Sequence, residues 1–309
     1  MSDVNLLTLR RMLRLRKFPP FEHADLDELA TIAENLVETT LPAGSVIATP
    51  GSRLRSIHLI LDGRVETRNQ SWGAHQAYGA LEVFADREVT QTAVAATPLH
   101  TLQLFARDLG EVLEDNYGVL LATVRELAAR VLALAPPPPR RPAIAPTGTL
   151  GLVERLIVLR HQLPFASARL QALATLAHAS DEIVLPANTV MTRAGETATS
   201  AFVIISGAAA STHGGDTELL AAGAPIGYLE TLANLRYRTT IETRTDVRAL
   251  RSRGSAILDV IEDHTDVGLA MLATFASTLL DRPAGSVAGD ARAAGHARDR
   301  ARPAVAASG

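Results

Sequence analysis

The sequence predicts an α+β protein made of two tandem antiparallel β-rolls (jelly rolls), each flanked by N- and C-terminal helices. Three observations predict it. The chain repeats itself. Within each repeat, helical apolar spacing gives way to short β-rich runs and then returns. Glycine turns close those runs at matching places. At 309 residues, two units are expected rather than one core.

A shift of 144 pairs Phe21 with Phe165, Leu26 with Leu170, Leu29 with Leu173 and Ile32 with Leu176. The same shift sets "LPAGSVIATPG" (41–51) on "LPANTVMTRAG" (185–195) and Gly63 on Gly207. A four-residue insertion follows, and the shift becomes 148: Gly79 meets Gly227, Leu81 meets Leu229, Glu82 meets Glu230, and "VLED" (112–115) meets "VIED" (260–263). The units are expected at 1–134 and 150–281. A proline-rich linker joins them over 135–149, where four consecutive prolines favour a semi-rigid polyproline II spacer. The tail, 282–309, has little apolar periodicity and is expected to be disordered.

Each unit opens on a helix. Leu6, Leu9 and Leu13 share a helical face ahead of "KFPPF", and Val153, Leu156 and Leu159 do so ahead of "LPF". The five basic residues of "RRMLRLRK" read as the wet side of that first helix. A second helix carries Leu26, Leu29, Ile32 and Leu36. The period then changes: "SIHLILDG" and "SAFVIISG" read as strands ended by a glycine turn, with His58 a packing or edge residue. "TQTAVAAT" and "RTTIETRT", then "HTLQLF" and "VRALRS", continue the sheets. Asp108 with Glu111 resembles a capping box for the next helix. The closing helices, 120–134 and 267–280, carry apolar stripes such as Leu121, Val124, Ala128 and Val131. These stripes suit core burial, a protein partner or self-association.

Composition excludes several classes. At 47% hydrophobic and 20% charged the chain is globular, and a net charge of −3 gives no field for nucleic acid or anionic lipid. There is no cysteine, so no disulfide, thiolate metal site or thiol catalysis. The nine histidines form no metal-ligating set, and neither a nucleophile elbow nor a P-loop is present. No enzyme, no metal and no cofactor is expected. No apolar run spans a membrane and the N-terminus is no secretory signal, so the expected location is the cytoplasm. Neither linker nor tail reads as a DNA-binding unit.

"FPPFEHADLDELATIAENL", "LPAGSVIATPG", "IHLILDGRVET" and "YGALEVFADREVTQTAVA" occur in that order, and their counterparts recur in the second half. In this each unit resembles the cyclic nucleotide-binding domain family, over about 8–133 and 152–281. The resemblance implies a phosphate-binding cassette at residues 78–95 and its counterpart, ending in a short helix whose N-terminus holds the cyclic phosphate. It also implies a glutamate after the cassette glycine for the ribose and an arginine nine residues later for the phosphate. This chain has Ala80 and Tyr228 at the first place, and Val89 and Tyr237 at the second. The cassette residues left as candidates are Gly79, Ala80, Leu81, Glu82, Arg87 and Thr92, and Gly227, Tyr228, Leu229, Glu230, Arg236, Arg238 and Thr240. The arginines either reach the phosphate by a one-residue slip or line a solvated turn. Two functions follow: a regulatory protein that senses a cyclic nucleotide (cAMP or cGMP) by helix repacking, or a pseudo-sensor scaffold for a protein partner.

Overall fold

The computed structural model describes residues 6–134, 149–166, 168–213 and 216–282. The expected linker and tail lie outside the described residues except at Thr149 and Arg282. The first half runs α1 (Leu6–Leu15), α2 (Leu26–Glu34), β1 (Leu36–Leu41), β2 (Val46–Ala48), β3 (Ser56–Asp62), β4 (Val65–Glu66), β5 (Ser71–Trp72), β6 (Ala77–Tyr78), α3 (Ala80–Phe84), β7 (Ala93–Ala95), β8 (Leu99–Phe105), α4 (Ala106–Asp115) and α5 (Tyr117–Leu132). The second half repeats it: α6 (Leu152–Arg160), α7 (Leu170–His178), β9 (Asp181–Leu185), β10 (Val190–Thr192), β11 (Ser200–Ser206), β12 (Ala209–His213), β13 (Asp216–Leu220), β14 (Pro225–Ile226), α8 (Tyr228–Leu232), β15 (Thr240–Thr243), β16 (Val247–Arg253), α9 (Gly254–Asp263) and α10 (Thr265–Leu280).

Each half forms two four-stranded antiparallel sheets of the same order. β1-β8-β3-β6 and β2-β7-β4-β5 are matched by β9-β16-β11-β14 and β10-β15-β12-β13. The alternation of β3 explains the layering. Ile57 and Leu59 join the helical core, while Ile60 points into the roll with Tyr78 and Leu99. Gly63 and Gly207 turn the chain at φ +89° and +87°, a region closed to most side chains.

The duplication extends to polar bonds. Arg11 donates to the Ala33 carbonyl at 3.1 Å, and Arg155, at the matching place, donates to that of Ala177 at 3.2 Å. Glu38 bonds His100 across β1 and β8 at 2.5 Å, and Glu182 bonds Arg248 across β9 and β16 at 2.6 Å. Burial opposes ionisation of Glu38, but bonds from Arg14 and His100 outweigh it and hold its carboxyl below the usual range.

Three expectations need correction. Leu6, Leu9 and Leu13 do share a face, and it is the exposed side of α1, while Met12 and Leu15 are buried. Arg11 and Arg14 turn inward to Ala33 and Glu38, so the basic set is not all wet. Leu36 opens β1 instead of continuing α2, whose cap is a capping box of Asp25 with Glu28. No box forms at Asp108: β8 runs directly into α4, whose first amide donates to the Arg55 carbonyl at 2.9 Å.

The halves meet through their closing helices. α5 packs on α10, and Leu120 of α5 lies against Gly268 of α10 so closely that a Cβ there would meet it at 2.9 Å. The pairing expected of these stripes thus takes place within one chain. Each helix also reaches across to the other half's cassette: α10 rests on α3, and α5 rests on α8. One apolar cluster therefore runs from Leu15 through Leu120 and Val124 to Phe275, while each roll keeps a smaller core of its own.

Candidate ligand sites at the two cassettes

Gly79 and Gly227 cap their five-residue helices with φ +83° and +74°. Sequence alone explains why: a β-branched or bulky residue would be strained at such φ. What fills the space over each glycine differs. Leu54 covers Gly79, where an added Cβ would meet Leu54 Cδ1 at 2.5 Å. Tyr237 covers Gly227, with its Cε1 only 2.8 Å from such a Cβ.

In the first cassette Val89 is buried within the roll, alongside Ala48, Ile60 and Tyr78. Ala80 and Leu81 pack on the helical core. Thr92 is exposed. Arg87 leaves the cassette and pairs with Asp281, at the C-terminal end of α10. Burial raises the Glu82 carboxyl, with the Arg130 guanidinium of α5 pulling the other way.

In the second cassette Tyr237 turns inward. Its hydroxyl donates to the Ser200 carbonyl at 2.6 Å and accepts from the Ser200 amide at 3.2 Å. Tyr228 is buried, edge-on to Phe165 with ring centroids 5.6 Å apart, and burial pushes its phenol up to about 12. Leu229 packs on the helical core, and Thr240 accepts from the Ala194 amide at 3.1 Å. Arg236 donates to the Gly195 carbonyl at 2.5 Å. Arg238 donates to the Leu132 carbonyl at the end of α5, placing a cation where the helix dipole is negative. Glu230, like Glu82, is raised by burial, with Arg238 opposing.

The thirteen cassette candidates thus separate. The glycines and leucines shape the turn and its packing. Arg87 and Arg238 hold the ends of the opposite half's closing helix. The residues that fill the space over the glycines, Leu54 and Tyr237, are the ones sequence reasoning did not single out for that role. The tyrosine at the arginine's place was the available signal; nothing marked Leu54. Among the described residues no group of side chains is arranged to hold a metal, and no helix is long and apolar enough to cross a membrane.

Residues 182–264 match the family model of the cyclic nucleotide-binding domain. The second half of the chain thus carries the match to the cyclic nucleotide-binding domain. No protein with curated function matches the chain in sequence. Several solved structures resemble it. The regulatory domain of Toxoplasma gondii protein kinase A with cAMP is 12% identical, with 87% of this chain and 96% of that one covered and a TM-score of 0.34. The regulatory subunit of a cAMP-independent protein kinase A from Trypanosoma brucei is 15% identical, covering 86% and 94%, with a TM-score of 0.34. The N-terminal domain of a transcriptional regulator from Streptomyces coelicolor is 20% identical, covering 43% and 99%, with a TM-score of 0.38. The matched cyclic nucleotide-binding domain includes α8 and Tyr237, so the altered cassette lies inside it.

One titration follows from the half-buried acids at this junction. Glu82, Glu126 of α5 and Glu230 are all raised by burial, and Glu82 and Glu126 share the single guanidinium of Arg130. A raised carboxyl favours folding below its unfolded pKa and loses that advantage as pH rises through the folded value. Glu126→Gln is therefore expected to raise the melting temperature at pH 7. The gain should vanish as pH falls to the unperturbed value of 4.5. Equal melting temperatures for variant and parent at pH 7 would contradict this.

Proposed function

We propose that the chain is a non-enzymatic regulatory scaffold of two cyclic nucleotide-binding-like units, 1–134 and 150–281, joined through 135–149. Its cassettes seat the opposite unit's closing helix instead of clasping a cyclic phosphate. The observation that carries this is Tyr237: at the place of the phosphate-pairing arginine, its ring covers Gly227 and its hydroxyl is spent on Ser200. The first cassette supports the same reading, with Val89 offering no donor and Leu54 over Gly79. A missing partner for a buried charge costs roughly 2–5 kcal/mol, or about 30-fold to several thousand-fold in affinity. A site of ordinary strength would drift toward millimolar.

The second reading is cyclic-nucleotide sensing. It is favoured by the position of Arg236 and Arg238 on either side of Tyr237, both bonded to backbone carbonyls that a phosphate could displace. In that case Glu230 meets the ribose, the cassette shifts, and α5 repacks. A thermal-shift titration with cAMP and cGMP separates the two. A ligand at a hundred times its Kd adds about 2.7 kcal/mol. The scaffold reading expects no shift at millimolar nucleotide. A shift abolished by Arg236→Glu or Arg238→Glu overturns it in favour of sensing.

A further inference from the structure

α1 has two apolar sides. Met12 and Leu15 belong to the helical core, and α1 packs chiefly on α2. Leu6, Leu9 and Leu13 face the other way, 80%, 44% and 63% exposed. At 3.6 residues per turn these three fall within about 60° of one another. Arg10 flanks the stripe on one edge. Arg16, whose amide still donates to the Met12 carbonyl at 3.2 Å, flanks it on the other, and Lys17 follows. All three cations are exposed, and none has a side-chain partner among the described residues. Arg11 and Arg14, by contrast, are held by Ala33 and Glu38. From Val4 to Phe21 the sequence has no acid.

The fold does not require this face. The 144 shift sets Leu6 on Leu150, which is buried, and Leu13 on Ile157, which is half-buried. It sets Arg10 on Glu154 and Lys17 on His161. Of the matching stripe only Val153 is exposed, and an acid follows it. A contiguous exposed apolar patch rimmed by polar residues marks an interaction surface.

Charge decides what covers it. A second copy of the same face would set cations against like cations. Residues 135–148 carry Arg140 and Arg141 and no acid. Residues 283–309 carry four arginines against two aspartates, and their only large apolar residues are Val287 and Val305. None of these complements a basic, leucine-rich ridge. The interface of an anionic bilayer does: leucines enter the acyl boundary while arginine and lysine stems reach the headgroups. The net charge of −3 does not oppose this. Charges beyond a Debye length, about 10 Å at about 0.1 M salt, are largely screened.

We propose that α1 is a peripheral membrane anchor that lies on an anionic phospholipid surface. Leu6, Leu9 and Leu13 enter the acyl boundary, and Arg10, Arg16 and Lys17 meet the phosphate headgroups. This is independent of the scaffold reading, which concerns the cassettes.

The full-length chain is sedimented with vesicles of phosphatidylglycerol and phosphatidylcholine in equal parts, and with vesicles of phosphatidylcholine alone. Binding to the anionic vesicles, weakened by added salt, and little binding to the neutral ones are the expected results. Leu13→Ser should weaken binding by about tenfold, the worth of burying one leucine. Arg10→Gln should weaken it by about fivefold, the worth of one cation at the surface. Both side chains are exposed, so neither variant should shift the melting temperature. Val153→Ser is the control: Val153 is 63% exposed, as Leu13 is, but lies beside Glu154, and binding should not change. No sedimentation with anionic vesicles at low salt overturns the proposal. So does equal binding to neutral vesicles, or binding that survives Leu13→Ser unchanged, which would be charge alone. Dimerisation of the free chain that Leu13→Ser abolishes would give the face to a second copy. Release from the vesicles by polyglutamate of equal charge would give it to an acidic protein. Either result overturns the proposal as well.

Discussion

Leu120→Ala is expected to lower stability by about 2–5 kcal/mol and to loosen both halves together. Leu120 is fully buried, and both its methyls face Gly268 of α10. Truncation opens a cavity at the contact between the two closing helices. Gly268 has no side chain to refill it, and α5 and α10 are each held elsewhere: α5 on α8 and on Pro19–Phe21, α10 on α3 and on Leu163–Phe165. The hole can collapse only if a cassette contact is given up. For a domain of this size the melting temperature should fall by about 2–4 °C per kcal/mol. Hydrogen exchange gives the sharper readout, with amides of both α3 and α8 expected to lose protection. Leu99→Ala, in the core of the first roll alone, is the control and should leave α8 unaffected. Loss of protection confined to the first half in the Leu120 variant would mean that the closing helices do not couple the units.

The second large effect is at Gly207. Its φ is +87°, and an added Cβ would stand 2.1 Å from the Asp246 carbonyl oxygen. Left-handed backbone costs an L-residue roughly 1–2 kcal/mol, and forced overpacking typically adds 1–3 kcal/mol. Gly207→Ala should therefore cost about 2–5 kcal/mol, by the sum of those two effects. The neighbouring strand cannot simply retreat, because the Arg244 and Thr245 amides bond the Ala208 carbonyl at 2.8 and 3.3 Å. Gly51 isolates the strain: its φ is +81° and nothing lies within 4 Å of an added Cβ. Gly51→Ala should cost only about 1–2 kcal/mol. Chemical denaturation of both variants checks the difference, and equal costs would show that close approach at Gly207 does not matter.

The altered cassettes change what a nucleotide response would mean. With Arg87 on Asp281 and Arg238 on the end of α5, the cations that could have served a phosphate now tie each half to the other. A ligand that captured either arginine would weaken a contact between the halves. A shift in the equilibrium requires such differential contact.

Much of this was legible in the sequence because the relevant signals are local or periodic. Gly63 and Gly207 marked their turns, since positive φ leaves few alternatives. Ala80, Tyr228, Val89 and Tyr237 stand where the resemblance implies a glutamate and an arginine. The reading of the basic set as the wet side of α1 failed at Arg11 and Arg14, because helical spacing reports which residues share a face, not which way that face points. Arg11 and Arg14 found an acceptor carbonyl and a carboxylate on α2 and β1, and so took the inner side.

By itself, the sequence determined that two rolls of one kind follow one another and that glycines turn them, and it put Ala80, Tyr228, Val89 and Tyr237 at the places where the resemblance implies a glutamate and an arginine. Repetition, φ restriction and residue identity are properties of the chain at each position. The tertiary structure alone decided that each closing helix covers the other half's cassette, and that Leu54 and Tyr237 fill the space over the glycines. Those depend on contacts between elements distant in the chain, or on which way a loop or strand side chain turns. They are fixed by the collective burial of apolar surface rather than by any local preference.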